Sequence, residues 1–331
     1  NWDLNGVNGL NGTNTLTIDG NGTTVNRGTG TYFLALDAIT HLTIENFMFI
    51  NETPATPVFG IMMRNTCDSI TIRNNTINVG TSSTSSSGGC IIGSNSLTSA
   101  FTNGFTASNV TIDSNTLIGG YYGIALRGPT SGTRPEGHKI TNNIVQDFYL
   151  YGIYNYYANR VVIKNNDISR PTRTTLSTFY GMYVYRSTND SIIGNKIHDG
   201  GTGTYTAYPM YIGYSTNTAA NHFVVANNAI YNNNTTGTQY SMYVLSTCTY
   251  FDIHHNTIQV TANGTGTIRN FYFTSTPNNL NFTNNLSSIE GSGTGTKNCY
   301  YSNSSTTFTG GNNLFYNGAT AGTNNTAYYS G

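Results

Sequence analysis

One short phrase, Ile-x-x-Asn-x-Ile with aliphatic exchanges, recurs along most of the chain and limits the fold more than any other feature. It reads Ile72–Asn75–Ile77, Ile112–Asn115–Leu117, Ile140–Asn143–Val145, Ile163–Asn166–Ile168 and Ile192–Asn195–Ile197, then Val225–Asn228–Ile230 and Ile253–Asn256–Ile258. Weaker copies stand at Ile18–Asn21, Ile44–Phe47–Phe49, Phe282–Asn285 and around Asn313. From Asn75 onward the asparagines lie 23 to 40 residues apart. That spacing is too irregular for an array of identical units, but it suits a structural repeat whose loops differ in length. Apolar stretches are short, no helix-period stripe runs through them, and Gly and Asn crowd the turns. The pattern predicts an all-β parallel solenoid of about 11 coils over residues 1–331, one domain throughout.

A second phrase, aromatic-Gly-aliphatic, opens a strand at Tyr122, Tyr151 and Tyr180 and in altered form at Tyr208 and Tyr240. Its third position reads Leu34, Ile61, Ile124, Ile153, Met182, Met210, Met242 and Phe271, and this column is expected to fill the core. Strict alternation along a strand then sends Tyr32, Tyr122, Tyr151, Tyr180, Tyr208 and Tyr240 inward. It sends Tyr154, Tyr183, Tyr211, Tyr243 and Tyr272 outward, with Tyr156 and Tyr185 two residues further along the same face. Rings repeated at the strand spacing make a stripe that can meet sugar rings or another protein's apolar surface, so these seven are the candidate ligand-binding residues. The alternative is that the rings only stack on one another and cover the sheet. The asparagines sit at a sharp turn, where each side-chain amide can bond its copy on the next coil.

Together the two phrases resemble the right-handed parallel β-helix repeat of secreted bacterial proteins. The Asn- and Tyr-rich flavour, as in NNLFYNGATAGTNN, looks like large cell-surface proteins of Bacteroidetes-type bacteria. The resemblance implies the fold and an extracellular or cell-surface location. It leaves function open, because the fold carries polysaccharide lyases, hydrolases, phage tailspikes and adhesins.

Charge narrows the choices. Only 8% of residues are charged, and 14 basic residues balance 14 acidic ones. Nucleic acid requires a basic face, so it is not an expected partner. No apolar run reaches membrane-spanning length, so no membrane insertion is expected. The four cysteines form no metal spacing or CxxC pair; they read as small residues in turn stacks, with a disulfide as the alternative. Neither end reads as a cap, so a segment of a longer chain, or a unit stacked end to end on a neighbour, is expected.

Cleavage of polysaccharide would need gathered carboxylates holding Ca²⁺ beside a basic residue, or a carboxylate pair. Acids and bases instead alternate down the predicted columns: Glu45, Arg73, Asp113; Asp167 beside Lys196; Asp147, Arg170, Asp199. Alternation suits cross-strand ion pairs. If the chain is an enzyme, Lys164, Arg170, Lys196, His198 and Asp199 are its catalytic candidates, with Arg134, Glu136, His138 and Lys139 in a nearby loop. No metal ligands and no cofactor are expected. The first expectation for function is a non-catalytic extracellular stalk or adhesin that binds glycan through the outward tyrosines. A polysaccharide lyase or glycoside hydrolase comes second and a tailspike-like body third.

Overall fold

The computed structural model describes residues 1–7, 9–245, 247–275, 277–303 and 308–329. Among them every regular element is a strand, and the chain winds as an all-β parallel solenoid of about 11 coils. It divides into two compact units, Asn1–Asp167 and Ile168–Gly331.

In the first unit each coil contributes a strand to each of three parallel sheets. The first sheet holds Trp2–Asn5, Tyr32–Asp37, Phe59–Arg64, Gly89–Gly93, Tyr122–Arg127 and Tyr151–Tyr156. The second holds Leu16–Asp19, Thr40–Glu45, Cys67–Arg73, Thr111–Asp113, Lys139–Thr141 and Val162–Lys164. Thr24–Asn26, Met48–Ile50, Thr76–Gly80, Thr116–Gly119 and Ile144–Gln146 make the third. The second unit repeats the plan. Its first sheet is Phe179–Tyr185, Ala207–Gly213, Gln239–Val244, Ile268–Phe273, Lys297–Ser302 and Asn324–Tyr329. Its second begins with Ser191–Ile193, Phe223–Ala226, Thr249–His254 and Asn278–Thr283, and its third runs from Lys196–His198 through Ala229–Tyr231, Thr257–Thr261 and Leu286–Glu290 to Leu314–Asn317.

The asparagine phrase marks the turn from second to third sheet, and two adjacent residues divide the work there. The first takes a left-handed backbone: Asn74, Ser114, Asn142 and Asn165 have φ of 54–56°, and Asn227 and Asn284 have 56° and 55°. Asn tolerates that region better than most residues, which explains the Asn-Asn pairs of the sequence. The second residue is the ladder rung. Asn143 donates its amide to Asn166 Oδ1 (3.0 Å) and Ile112 O (2.9 Å), while its own Oδ1 accepts from the backbone and side-chain nitrogens of Asn115 (both 3.0 Å). The same relay links Asn75 to Asn115 in the first unit, and Asn195, Asn228, Asn256, Asn285 and Asn313 in the second. These rungs are buried through Asn285, so each buried polar group finds its partner on a neighbouring coil.

The first sheet departs from strict alternation. In Phe179–Tyr185, Phe179, Met182 and Val184 are fully buried and Tyr180, Tyr183 and Tyr185 are half-exposed. Gly181 and Met182 both face inward: a Cβ on Gly181 would lie 2.5 Å from Ile197 Cγ2, a core atom of the third sheet. Pairing with the next strand accordingly skips the glycine, matching Tyr180 to Tyr208 and then Met182 to Met210. This bulge-like irregularity turns the strand's first residue outward.

The inward assignment of Tyr32, Tyr122, Tyr151, Tyr180, Tyr208 and Tyr240 is therefore corrected. The Tyr180 ring packs 5.5 Å from Tyr183, Tyr208 lies 5.7 Å from Tyr211, and Tyr151 lies 5.0 Å from Tyr154. Both tyrosine columns share the outer face. The third-position column does form the core, with Ile61, Ile124, Ile153, Met182, Met210, Met242 and Phe271 fully buried. Cys67, Cys90, Cys248 and Cys299 are buried free thiols.

Candidate functional site

In the second unit the outer face of the first sheet is an aromatic wall. Tyr180, Tyr208 and Tyr240 form one column, continued by Arg269, and Tyr183, Tyr211, Tyr243, Tyr272 and Tyr301 form the next. Adjacent rings touch: centroids are 4.5 Å apart for Tyr183–Tyr211, 5.1 Å for Tyr211–Tyr243 and 4.8 Å for Tyr243–Tyr272. Arg269 is inserted between the columns, its guanidinium carbon 3.4 Å from the Tyr301 centroid and 4.5 Å from that of Tyr272. Arg186 sits 5.0 Å over Tyr214. Each guanidinium meets electron-rich ring faces, which hold it on a wall that has few carboxylates.

Ring geometry decides what the wall can offer. Tyr183 and Tyr211 are within 15° of parallel, and Tyr180 and Tyr208 within 6° at 5.0 Å. Coplanar rings cannot approach so closely, so these pairs are stacked face to face with an offset. Their faces are spent on each other, and what remains outward is ring edge and hydroxyl. From Tyr240 onward the rings tilt: Tyr208–Tyr240 cross at 63° and Tyr240–Tyr272 at 70°. Burial, then neighbouring tyrosines, push the phenols of Tyr208, Tyr211 and Tyr243 upward; burial does the same for Tyr240. These hydroxyls stay protonated at neutral pH, each able to donate and accept. The result is a ridge of neutral hydroxyls over an aromatic base, in which Arg269 and Arg186 carry the charge.

The first unit carries the same columns, but they are occupied. Tyr122 stacks on Tyr151 at 5.5 Å, and Tyr154 packs beside Tyr156 at 5.6 Å. Phe101, from the segment between Gly93 and Ala107, sets its ring edge-on against Tyr122 (5.1 Å) and Tyr154 (4.7 Å). Arg127 lies over both Phe101 and Tyr156. Tyr154 is consequently only 7% exposed, whereas Tyr156 is half-exposed. Of the seven tyrosines singled out from the sequence, Tyr156, Tyr183, Tyr185, Tyr211 and Tyr243 reach the surface substantially, and Tyr154 and Tyr272 do so little. Tyr180, Tyr208, Tyr240 and Tyr301 belong to the wall and were not among them; the small residue following the first three was the available signal.

Arg170 is withdrawn from solvent. Its side chain is fully enclosed, sandwiched 5.1 Å from Phe179 and 4.9 Å from Tyr205, and it donates to Gly200 O and Ser177 O. Arg170 is thereby corrected from a substrate-facing cation to a clamp for its own loop. His198 bonds Asp199 (2.7 Å) and stacks on Tyr231 at 4.9 Å, and Asn232 also donates to Asp199. Asp199 borders a cleft of about 590 Å³ that Pro171, Arg173 and Asn234 also line. Lys196 is exposed on the third sheet of the second unit, and Lys164 is exposed in the first unit, where Asp167 is half-buried. Elsewhere the alternating column is realised as an ion pair, Arg73 Nε to Glu45 Oε2 at 2.5 Å, with Asp113 next in register. His138 is another correction: it lies inside the first unit, and burial lowers its pKa to about 4. Among the described residues no three His, Cys, Asp or Glu side chains gather to hold a metal ion.

Residues 132–313, more than half of the chain, match the family model described as "Right handed beta helix region". No curated protein matches the chain, and no solved structure does.

Proposed function

The chain belongs to the right-handed β-helix family, and from that premise we propose that it is a non-catalytic adhesive module of a larger secreted or cell-surface protein that binds uncharged glycan. One observation carries the reading: the half-exposed tyrosine wall of the second unit, with its protonated hydroxyls and inserted guanidiniums. An uncharged polyhydroxylated polymer matches such a wall, with hydroxyls bonding hydroxyls and sugar C–H faces lying on ring edges and tilted faces. The balance of 14 basic and 14 acidic residues supplies no general attraction to polyanions. The Asn- and Tyr-rich composition supports a place in Bacteroidetes-type surface proteins, with flanking parts of a longer chain presenting the wall outside the cell.

The test separates ring from hydroxyl. Binding to a panel of immobilised uncharged polysaccharides is measured for the parent chain and for Tyr211→Phe, Tyr243→Phe and Tyr211→Ala. Each Phe variant keeps the stack, so the fold should melt as before while binding weakens by about tenfold per lost hydroxyl contact. Tyr211→Ala should remove the wall's own contribution to binding. Unchanged binding in all three variants removes the wall from recognition. Unsaturated or reducing sugar ends appearing during incubation would sink the non-catalytic reading.

A further inference from the structure

A second surface of the first unit has no part in the tyrosine wall. A cleft of about 760 Å³ is lined by Asp68, Phe105, Ser108, Arg134, Glu136 and Asn159, among others. The solenoid register stacks its polar groups. Ser108 pairs with Asp68 on the adjacent strand, Glu136 N donates to Ser108 Oγ at 3.1 Å, and Glu136 forms the next bridge with Asn159. Asp68, Ser108, Glu136 and Asn159 are thus successive rungs of one column. At a rung spacing of ~4.8 Å the two carboxylate residues stand about 10 Å apart along it, with a hydroxyl between them.

Both acids are held. Asp68 Oδ1 accepts from Asn109 Nδ2 (2.9 Å) and Oδ2 from Ser69 Oγ (2.7 Å), while Glu136 Oε1 meets Arg160 at 2.5 Å. Arg134 lies 5.1 Å over the Tyr157 ring, and half-buried Phe105 adds an apolar patch. Two carboxylates are balanced by two guanidiniums, so the cleft selects neither a polyanion nor a bare cation. It offers alternating acceptors and donors at a regular spacing beside an aromatic ring, which is the chemistry that recognises vicinal hydroxyls on a ring. At its rim Thr66, a β-branched residue, is held at φ 66° beside Asn65 at 55°, a conformation that surrounding structure must enforce.

We propose that this cleft is a carbohydrate subsite for a short, uncharged oligosaccharide, gripped through Asp68 and Glu136 and independent of the tyrosine wall. The experiment uses the whole chain with cello-, manno- and malto-hexaose as probes, read by saturation-transfer NMR and calorimetry. Asp68→Asn and Glu136→Gln keep shape and remove charge, and each should weaken binding of the accepted hexaose by about tenfold or more, the loss expected for a charge-assisted hydrogen bond. Thr133→Trp, at an exposed lining position, should block the cleft without touching either carboxylate. Tyr211→Ala should leave this binding intact. No saturation transfer to any of the three hexaoses overturns the proposal, as does binding that survives all three cleft variants. Binding lost with Tyr211→Ala alone also overturns it while leaving the wall's role standing; binding lost with the cleft variants alone has the opposite meaning.

Discussion

Truncating Asn143 puts a number on the asparagine column. The side chain is fully buried and uses its full capacity, two donors and two acceptor sites, on Asn166, Ile112 and Asn115. Asn143→Ala strands the backbone N–H of Asn115 and one of its amide protons, and removes one donor each from Ile112 O and Asn166 Oδ1. A buried donor left without a partner costs about 1–3 kcal/mol, so the two stranded donors together predict about 4 kcal/mol. Asn115 also keeps Ile72 O as an acceptor for its amide, so the loss is confined to groups facing the missing rung. Solenoids can unfold in pieces, so urea unfolding followed by circular dichroism is joined by hydrogen exchange at the Asn115 amide. That amide should exchange about a thousandfold faster, the rate equivalent of the same free energy. Asn313→Ala is the control: this rung is half-buried and accepts from Asn285 alone at 2.9 and 3.0 Å, so water can replace it, and about 1 kcal/mol is expected. A loss below about 1 kcal/mol at Asn143, with unchanged exchange at Asn115, would refute the idea that the relay stabilises the coil.

Three further outcomes follow from the same geometry. Phe101→Ala should remove two edge contacts worth about 0.5–1.5 kcal/mol each and uncover Tyr154, read as faster nitration of that residue by mass spectrometry; unchanged nitration would mean the ring does not cover it. His138 is neutral in the fold, with its pKa lowered to about 4 by burial, while the unfolded chain protonates near pH 6.5. The unfolded state therefore binds more protons between those values, and stability should fall as pH drops from about 6.5 to 4, by about 3 kcal/mol from this group. His138→Gln should flatten that slope in denaturant midpoints measured across the window, and an unaltered slope would place the titration elsewhere. Gly123→Ala puts a Cβ 2.3 Å from Val145 Cγ1 and 2.6 Å from the carbonyl oxygen of Gly152, which should cost about 1–3 kcal/mol in unfolding free energy; Gly28→Ala, with open space around it, should cost little, and equal effects would contradict the packing reading.

The coil plan was legible because it rests on local chemistry repeated at every turn. The ladder asparagines, the aliphatic column from Leu34 to Phe271 and the outward run Tyr183, Tyr211, Tyr243 can each be read from adjacent residues. What strict alternation missed was a break in the pleat. Two consecutive inward residues, as at Gly181 and Met182, reverse the assignment of the strand's first tyrosine, and a single glycine is an ambiguous sign of that. The polar part of the interior was not legible either. Lys297 is enclosed and donates to Gly295 O (3.0 Å) and Ala321 O (2.8 Å), and Gln239, Ser241, Asn270 and Ser287 bond one another inside the second unit. Such groups look like surface residues in a sequence, because their partners come from loops and other coils. The same holds for Arg170 and His138. The column that joins Asp68 to Glu136 was hidden because its rungs Asp68, Ser108, Glu136 and Asn159 share no residue type, so nothing repeats to mark it.

In-register stacking also accounts for the choice of side chains. A residue type placed at one position on successive coils meets its own copy at ~4.8 Å, so a column of like charges would repel at every step. Three solutions appear. Glu45, Arg73 and Asp113 alternate sign. Asparagine is both donor and acceptor, so it can bond its own copy without end. Tyrosine stacks its rings and keeps a neutral hydroxyl outside. A solenoid surface under this constraint drifts toward amides and phenols, and these are also the groups that bind uncharged sugars. Under the proposed function, recognition and stability draw on the same columns. The Phe101 segment indicates where the two separate: in the first unit the chain itself covers the rings, and in the second Tyr180, Tyr183, Tyr211 and Tyr243 remain half-exposed. Stability alone accounts for the stacked rings, but phenylalanine would stack as well. The proposed glycan contact therefore rests on the hydroxyls retained along the second unit's wall.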